Sequence, residues 1–141
     1  MDNWLSSAYI SRNGVLGYGA AKALNNSTFI PCGVSTRWIH GCSLGSWGLG
    51  VAQTFESQEG HQRALIRRSN FTSVYSVQRD ILYAYHFWAP TLGYPTGNES
   101  GTTTVSQFFN GGYIVKTLNP CKTVVYNNGG GVLQTYTGVC N

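Results

Sequence analysis

"TVSQFFNGGYIVKTL", residues 104–118, decides how this chain folds. Two runs of β-branched and aromatic residues meet at Asn110-Gly111-Gly112, the composition of a tight hairpin between antiparallel strands. In the first run Gln107 falls between Val105 and Phe109, on the strand face that those apolar residues share. The same arrangement recurs in "VAQTFES", residues 51–57, with Gln53 between Val51 and Phe55. A buried amide must find hydrogen-bond partners. Gln107 is therefore expected to bond the backbone of the adjacent turn, fixing how hairpin and loop meet, in preference to touching a ligand.

The recurrence extends beyond the glutamines. At a shift of 51 residues, Thr72, Val74, Tyr75, Leu82 and Tyr85 match Thr123, Val125, Tyr126, Leu133 and Tyr136. At a shift of 54, Val51, Gln53 and Phe55 match Val105, Gln107 and Phe109, and at 76, Ala8, Tyr9, Leu16, Gly17 and Tyr18 match Ala84, Tyr85, Leu92, Gly93 and Tyr94. Such self-similarity marks a repeated supersecondary unit. In the best-preserved copy, Ser76 is placed to cap a helix whose buried face is Ile81, Leu82, Tyr85 and Trp88, and Pro90 should end it. A loop, "LGYPTGNESG", leads into the hairpin, and "TVVYN" supplies a third strand. The preceding copy offers a short helix at "VSTRWIHG", a loop at "LGSWGLG", and strands at "VAQTFES", "QRALIRR" and "FTSVYS".

One domain is expected, divided into a partial copy at 3–33, full copies at 34–77 and 78–128, and a partial copy at 129–141 read as the start of a helix, "VLQTYTG". A unit this small cannot bury its own apolar faces, so the copies should share helices. The fold class is α+β: an antiparallel sheet layer of repeat hairpins covered by short amphipathic helices, on both faces if the layers form an α/β/α sandwich.

Composition supports a globular chain. Only 10% of residues are charged and 13% are aromatic, too apolar and too weakly charged for disorder. No run reaches the roughly eighteen apolar residues of a membrane span, so membrane insertion is not expected. Four cysteines, Cys32, Cys42, Cys121 and Cys140, form no CxxC pair; two disulfides are expected, with the pairing left open, and no metal site. Sequons at Asn25, Asn26, Asn70 and Asn98 agree with a secreted, glycosylated protein. The net charge of +4 concentrates arginines at 63, 67, 68 and 79, but no nucleic-acid motif accompanies them, and nucleic acid is not an expected partner.

"LGYPTGNE" at 92–99, "VSQFFNGG" at 105–112 and "VVYNNGGGVLQTY" at 124–136 together resemble the LGFP repeat, a module of about fifty residues found in extracellular proteins. The likeness is weaker at 34–77, where "LGSW" lacks the proline and "QTFES" lacks the double glycine. The resemblance implies repeats that bind or anchor polysaccharide at cell walls, with no catalytic residues. In build the chain is also similar to small secreted glycan-binding proteins of fungal type.

Catalysis asks for groups the spacing does not assemble. His40, His61 and His86 are scattered, and of Glu56, Glu59 and Glu99 only the first two lie close together, near a hairpin tip. A small secreted ribonuclease or toxin is the enzymatic alternative, and a structural protein of the cell surface the other. Sugar binding needs only an aromatic face and polar groups at its rim. Trp38 and Trp88 fall on helical stripes and are expected in the core. Trp47, in a glycine-rich loop, is either an exposed platform or a loop plug. The expected carbohydrate site joins Trp47 with Arg63 or Arg67, supported by Tyr94, Asn98 and Tyr113. The expectation is thus a non-catalytic, lectin-like protein without cofactors, binding glycans on glycoproteins or cell walls.

Overall fold

The computed structural model describes residues 20–21, 42–43, 47–56 and 61–137. The helices expected at "NWLSSAYIS" and "VSTRWIHG", and Trp38, His40, Glu59, Asn25, Asn26, Cys32 and Cys140, lie outside the described residues. Two antiparallel sheets and one helix make up the described part, an α+β arrangement. The first sheet contains β1 (Ala20–Ala21), β2 (Cys42–Ser43), β3 (Leu49–Glu56), β4 (Gln62–Arg68) and β5 (Tyr75–Gln78), with β1 and β2 both pairing with β3. Helix α1 (Arg79–Leu92) follows β5 directly. The second sheet runs β6 (Thr104–Phe109), β7 (Gly112–Leu118), β8 (Cys121–Asn127) and β9 (Val132–Thr137), in that order. No cysteine among the described residues is free, and Cys121 is disulfide-bonded.

The hairpin forms where its composition placed it, with Phe109 opposite Gly112 across a two-residue turn. Its glycines serve contact here. A Cβ on Gly111 would meet the Thr91 carbonyl oxygen, and one on Gly112 would meet the Tyr126 carbonyl and the Leu92 side chain. The turn therefore tucks beneath the C-terminal end of α1, and Gly111 donates its N–H to the Leu92 carbonyl at 2.7 Å.

Helix α1 packs on both sheets and supplies the centre of the core. Ile81, Leu82 and Tyr85 are buried as their spacing requires, together with Ala84, Ala89 and Leu92. From the sheets come Ala64, Ile66 and Val77 on one side, and Phe109, Ile114 and Val125 on the other. The Tyr85 ring stacks on Phe109 with centroids 4.8 Å apart, and its hydroxyl donates to the Gly93 carbonyl at 2.6 Å. Trp88 packs against this cluster and donates its indole N–H to Tyr136 at 3.2 Å. Asp80, in the first helical turn, reaches Lys116 of β7 at 2.9 Å, with both side chains nearly buried.

Three local expectations are corrected. Ser76 lies in β5 and does not cap α1; the capping position is Gln78, which makes no side-chain cap. Ser76 is held in the strand opposite Leu65, its N–H taken by the Asn98 side chain and its carbonyl by Gln107. Pro90 does not end the helix, which continues to Leu92 and stops at Gly93 with φ of 74°. A proline near the C-terminal end removes one N–H from the ladder, and Gly93 takes a positive-φ conformation that glycine adopts without strain, which turns the chain out of the helix. Residues 132–137, expected to start a helix, form β9. Asn127 accepts from the N–H groups of Gly129 and Gly131 at 3.0 and 2.9 Å, a side-chain clasp that turns the chain back along β8. A bulge then leaves Leu133 unmatched in the register.

The two glutamines are both buried, but they do different work. Gln107 donates to the Ser76 carbonyl at 2.8 Å and to the Gly97 carbonyl at 2.9 Å, tying the second sheet to β5 of the first and to the loop before β6. Among the described residues Gln53 bonds only the neighbouring Thr54 carbonyl, at 3.1 Å, and its strand neighbours Val51 and Phe55 lie on the sheet face away from the α1 core. Replacing Gln107 with Leu strands two carbonyls between the sheets and should cost about 2–4 kcal/mol in urea unfolding, whereas Gln53→Leu should cost about 1 kcal/mol. Equal losses in the two variants would refute the inter-sheet role.

Candidate functional site

The seam that Gln107 closes also shapes a groove. Ile66, Arg68, Phe71, Tyr75, Tyr94, Pro95 and Asn110 surround it, with Ser73 and Thr96 adding hydroxyls, and its volume is about 200 Å³. Drug-sized pockets run to roughly 300–1,000 Å³, so this one accepts a single ring-sized group.

Each wall follows from local structure. Arg68 ends β4 on the same face as Ala64 and Ile66, because alternate residues share a face. Its guanidinium carbon lies 5.4 Å from the Phe71 ring centroid and 5.7 Å from that of Tyr94, in cation–π range of both. Phe71 is 54% exposed, an aromatic face open to solvent. The turn that presents it passes through Asn70, at φ of 72°, and is secured by Arg67, which donates to the Phe71 carbonyl at 3.0 Å.

Tyr94 forms the floor. It is 2% exposed, its N–H is accepted by the Asn110 side chain at 2.9 Å, and its hydroxyl donates to the Gly48 carbonyl at 2.8 Å. A Cβ on Gly50 would collide with the same ring, so glycine there lets β3 approach it. Burial pushes the Tyr94 hydroxyl up to about 12, partly offset by the Arg68 charge.

The expected site residues are only partly brought together. Trp47 is half-buried and backs the groove without lining it. Its indole donates to the Pro90 carbonyl at 3.1 Å, and its ring lies close enough to Gly93 and Gly111 that a Cβ at either would press on it. The indole thus plugs the end of α1. Arg63 and Arg67 alternate with Ala64 and Ile66 and so face away from the α1 core; Arg67 serves the groove only by holding the Phe71 turn. Asn98 accepts the Ser76 N–H at 2.8 Å, which fixes the loop to β5. Tyr113 stands on the outer face of the second sheet, stacked on Tyr126 at 4.8 Å and beside Phe108 at 5.6 Å.

Arg68 and Phe71 were missed by the sequence reading. Their signal was present but ambiguous: Ala64, Leu65 and Ile66 are all buried, so the apolar run in "RALIRR" does not tell which arginine shares the core face. Of the acid–base candidates, His86 is half-buried with its imidazole pushed down by desolvation, and His61 opens the approach to β4. No group of three or more His, Cys, Asp or Glu side chains that could hold a metal occurs among the described residues.

No protein-family model matches the chain. No curated protein matches it either. The likeness to the LGFP repeat therefore rests on the motif residues themselves.

The floor of the groove can be probed by alkaline titration. The folded Tyr94 value lies above the ordinary 10.0, so its contribution to stability is complete below pH 10 and is lost as pH rises through about 12. Tyr85, also pushed up by burial, contributes in the same direction. Tyr94→Phe should weaken the fall in melting temperature between pH 10 and pH 12 without abolishing it. An unchanged alkaline profile would contradict the buried, hydrogen-bonded hydroxyl.

Proposed function

We propose that this chain is a non-catalytic glycan-binding protein and that the groove at Arg68, Phe71 and Tyr94 receives one sugar ring. The observation that carries the reading is the exposed Phe71 face beside a guanidinium held between two aromatic rings. The apolar side of a pyranose lies against an aromatic face, while hydroxyls at its edge bond guanidinium, amide and hydroxyl groups. Arg68, Asn110, Ser73 and Thr96 supply such groups around Phe71.

The likeness of "LGYPTGNE" and "VSQFFNGG" to LGFP repeats favours polysaccharide or glycoprotein glycans as partners, since Tyr94 and Pro95 of that turn line the groove. Secretion, glycosylation at the sequons and a framework of two disulfides belong to the same proposal. The bonded Cys121 and the cysteine count support the last of these.

A glycan array probed with the purified chain tests the reading. Binding to at least one saccharide is expected, weakened roughly tenfold or more, about 1.4 kcal/mol, by Phe71→Ala and by Arg68→Ala. Tyr113→Ala, on the outer sheet face, should leave it unchanged. Failure to bind any glycan would defeat the function, and binding indifferent to Phe71→Ala would defeat the site.

A further inference from the structure

A second cavity, of about 370 Å³, opens where the start of α1 meets the second sheet, between Gln78, Arg79, Glu99, Thr102, Val105 and Lys116. Its character differs from that of the groove. Lys116 from β7 is matched at 2.9 Å by Asp80 of α1. Arg79 holds a backbone φ of 54°, in the left-handed region that side chains other than glycine rarely occupy and that clusters at ligand sites. The Arg79 Nε is buried and meets no acceptor among the described residues, a desolvated donor that an incoming oxygen would satisfy.

Glu99 completes the set. Burial raises its carboxyl above the usual range, against the lowering influence of Lys116, Arg79 and Arg63. Among the described residues, the charged groups bearing on the cavity are thus Arg79 and Asp80 from α1, Lys116 from β7, Arg63 from β4 and Glu99 from the loop. Cations outnumber carboxylates by three to two, and protonation of Glu99 widens the difference.

We propose that this cavity binds a small carboxylate-bearing ligand, anchored by Arg79. The guanidinium offers the planar fork that fits a carboxylate. Glu99 opposes the ligand when ionised and donates a hydrogen bond to it when protonated, so binding strengthens as pH falls. The shared chemistry is a carboxylate, carried either by an acidic sugar or by a simple organic acid. The inference stands apart from the groove, which shares no lining residue with this cavity.

Calorimetric titration of the full chain with sodium glucuronate, sodium acetate and glucose, at pH 5 and pH 7.5, provides the test. At least one carboxylate should bind, at least fivefold more tightly at pH 5; preference for glucuronate identifies an acidic sugar, and equal binding of acetate a simple acid. Arg79→Gly should abolish this binding while keeping or raising the melting temperature, because glycine takes the positive φ freely. Glu99→Gln should bind at pH 7.5 more tightly than the parent does at that pH and lose the pH dependence, and it decides the matter should Arg79→Gly fail to fold. Glucose bound at the groove persists in Arg79→Gly and reports on the groove alone. Absence of carboxylate binding, parental affinity in Arg79→Gly, or an unaltered pH dependence in Glu99→Gln overturns the proposal.

Discussion

A single side-chain amide holds the described structure in register. Gln107 donates one hydrogen across the boundary between two sheets that share no ladder, to a carbonyl of β5, and the other to the loop after α1. Ser76 is engaged at both backbone groups, its carbonyl by Gln107 and its N–H by Asn98. In a dry interior, unpaired groups of this kind are costly, so the network admits one relative placement of sheet and loop. The two cavities follow from that placement. Tyr75, at one end of β5, lines the groove, and Gln78, at the other end, lines the charged cavity.

Around this seam, close approach is made possible by missing side chains. Gly50 admits the Tyr94 ring, Gly93 and Gly111 admit the Trp47 indole, and Gly112 admits the Leu92 side chain. Each glycine sits where a large ring or a helix end presses on backbone. Of the two roles open to Trp47, platform or plug, the indole takes the second: it is held by the helix it seals, and its N–H satisfies a carbonyl near the end of α1. Phe71, by contrast, is 54% exposed on a turn held by Arg67.

Much of this was legible in the chain. Alternation flanking Asn110-Gly111-Gly112 placed the hairpin, helical spacing placed Ile81, Leu82 and Tyr85 inside, and the demand of a buried amide for backbone partners anticipated the bonds of Gln107. What escaped was settled by tertiary competition. Leu133 and Tyr136 fit a helical spacing as well as a bulged strand, and the unpaired edge of β8 decided for the strand. Val51, Gln53 and Phe55 repeat the pattern of Val105, Gln107 and Phe109, yet they line the opposite side of their sheet from α1, which no local pattern reveals. Arg68 was hidden because an unbroken apolar run conceals which residues share a face.

Sheets end in rows of unpaired donors and acceptors, a standing invitation to other chains. Along β6 that invitation is withdrawn by the loop before it: Pro95 bridges to Phe109, and Ser100 exchanges bonds with Ser106 at 2.9 Å in both directions. The segment that shapes the groove is therefore also the guard on a sheet margin. Any drift in its composition that reshapes the groove is bounded by a second demand, that the strand behind it stay shielded from self-association.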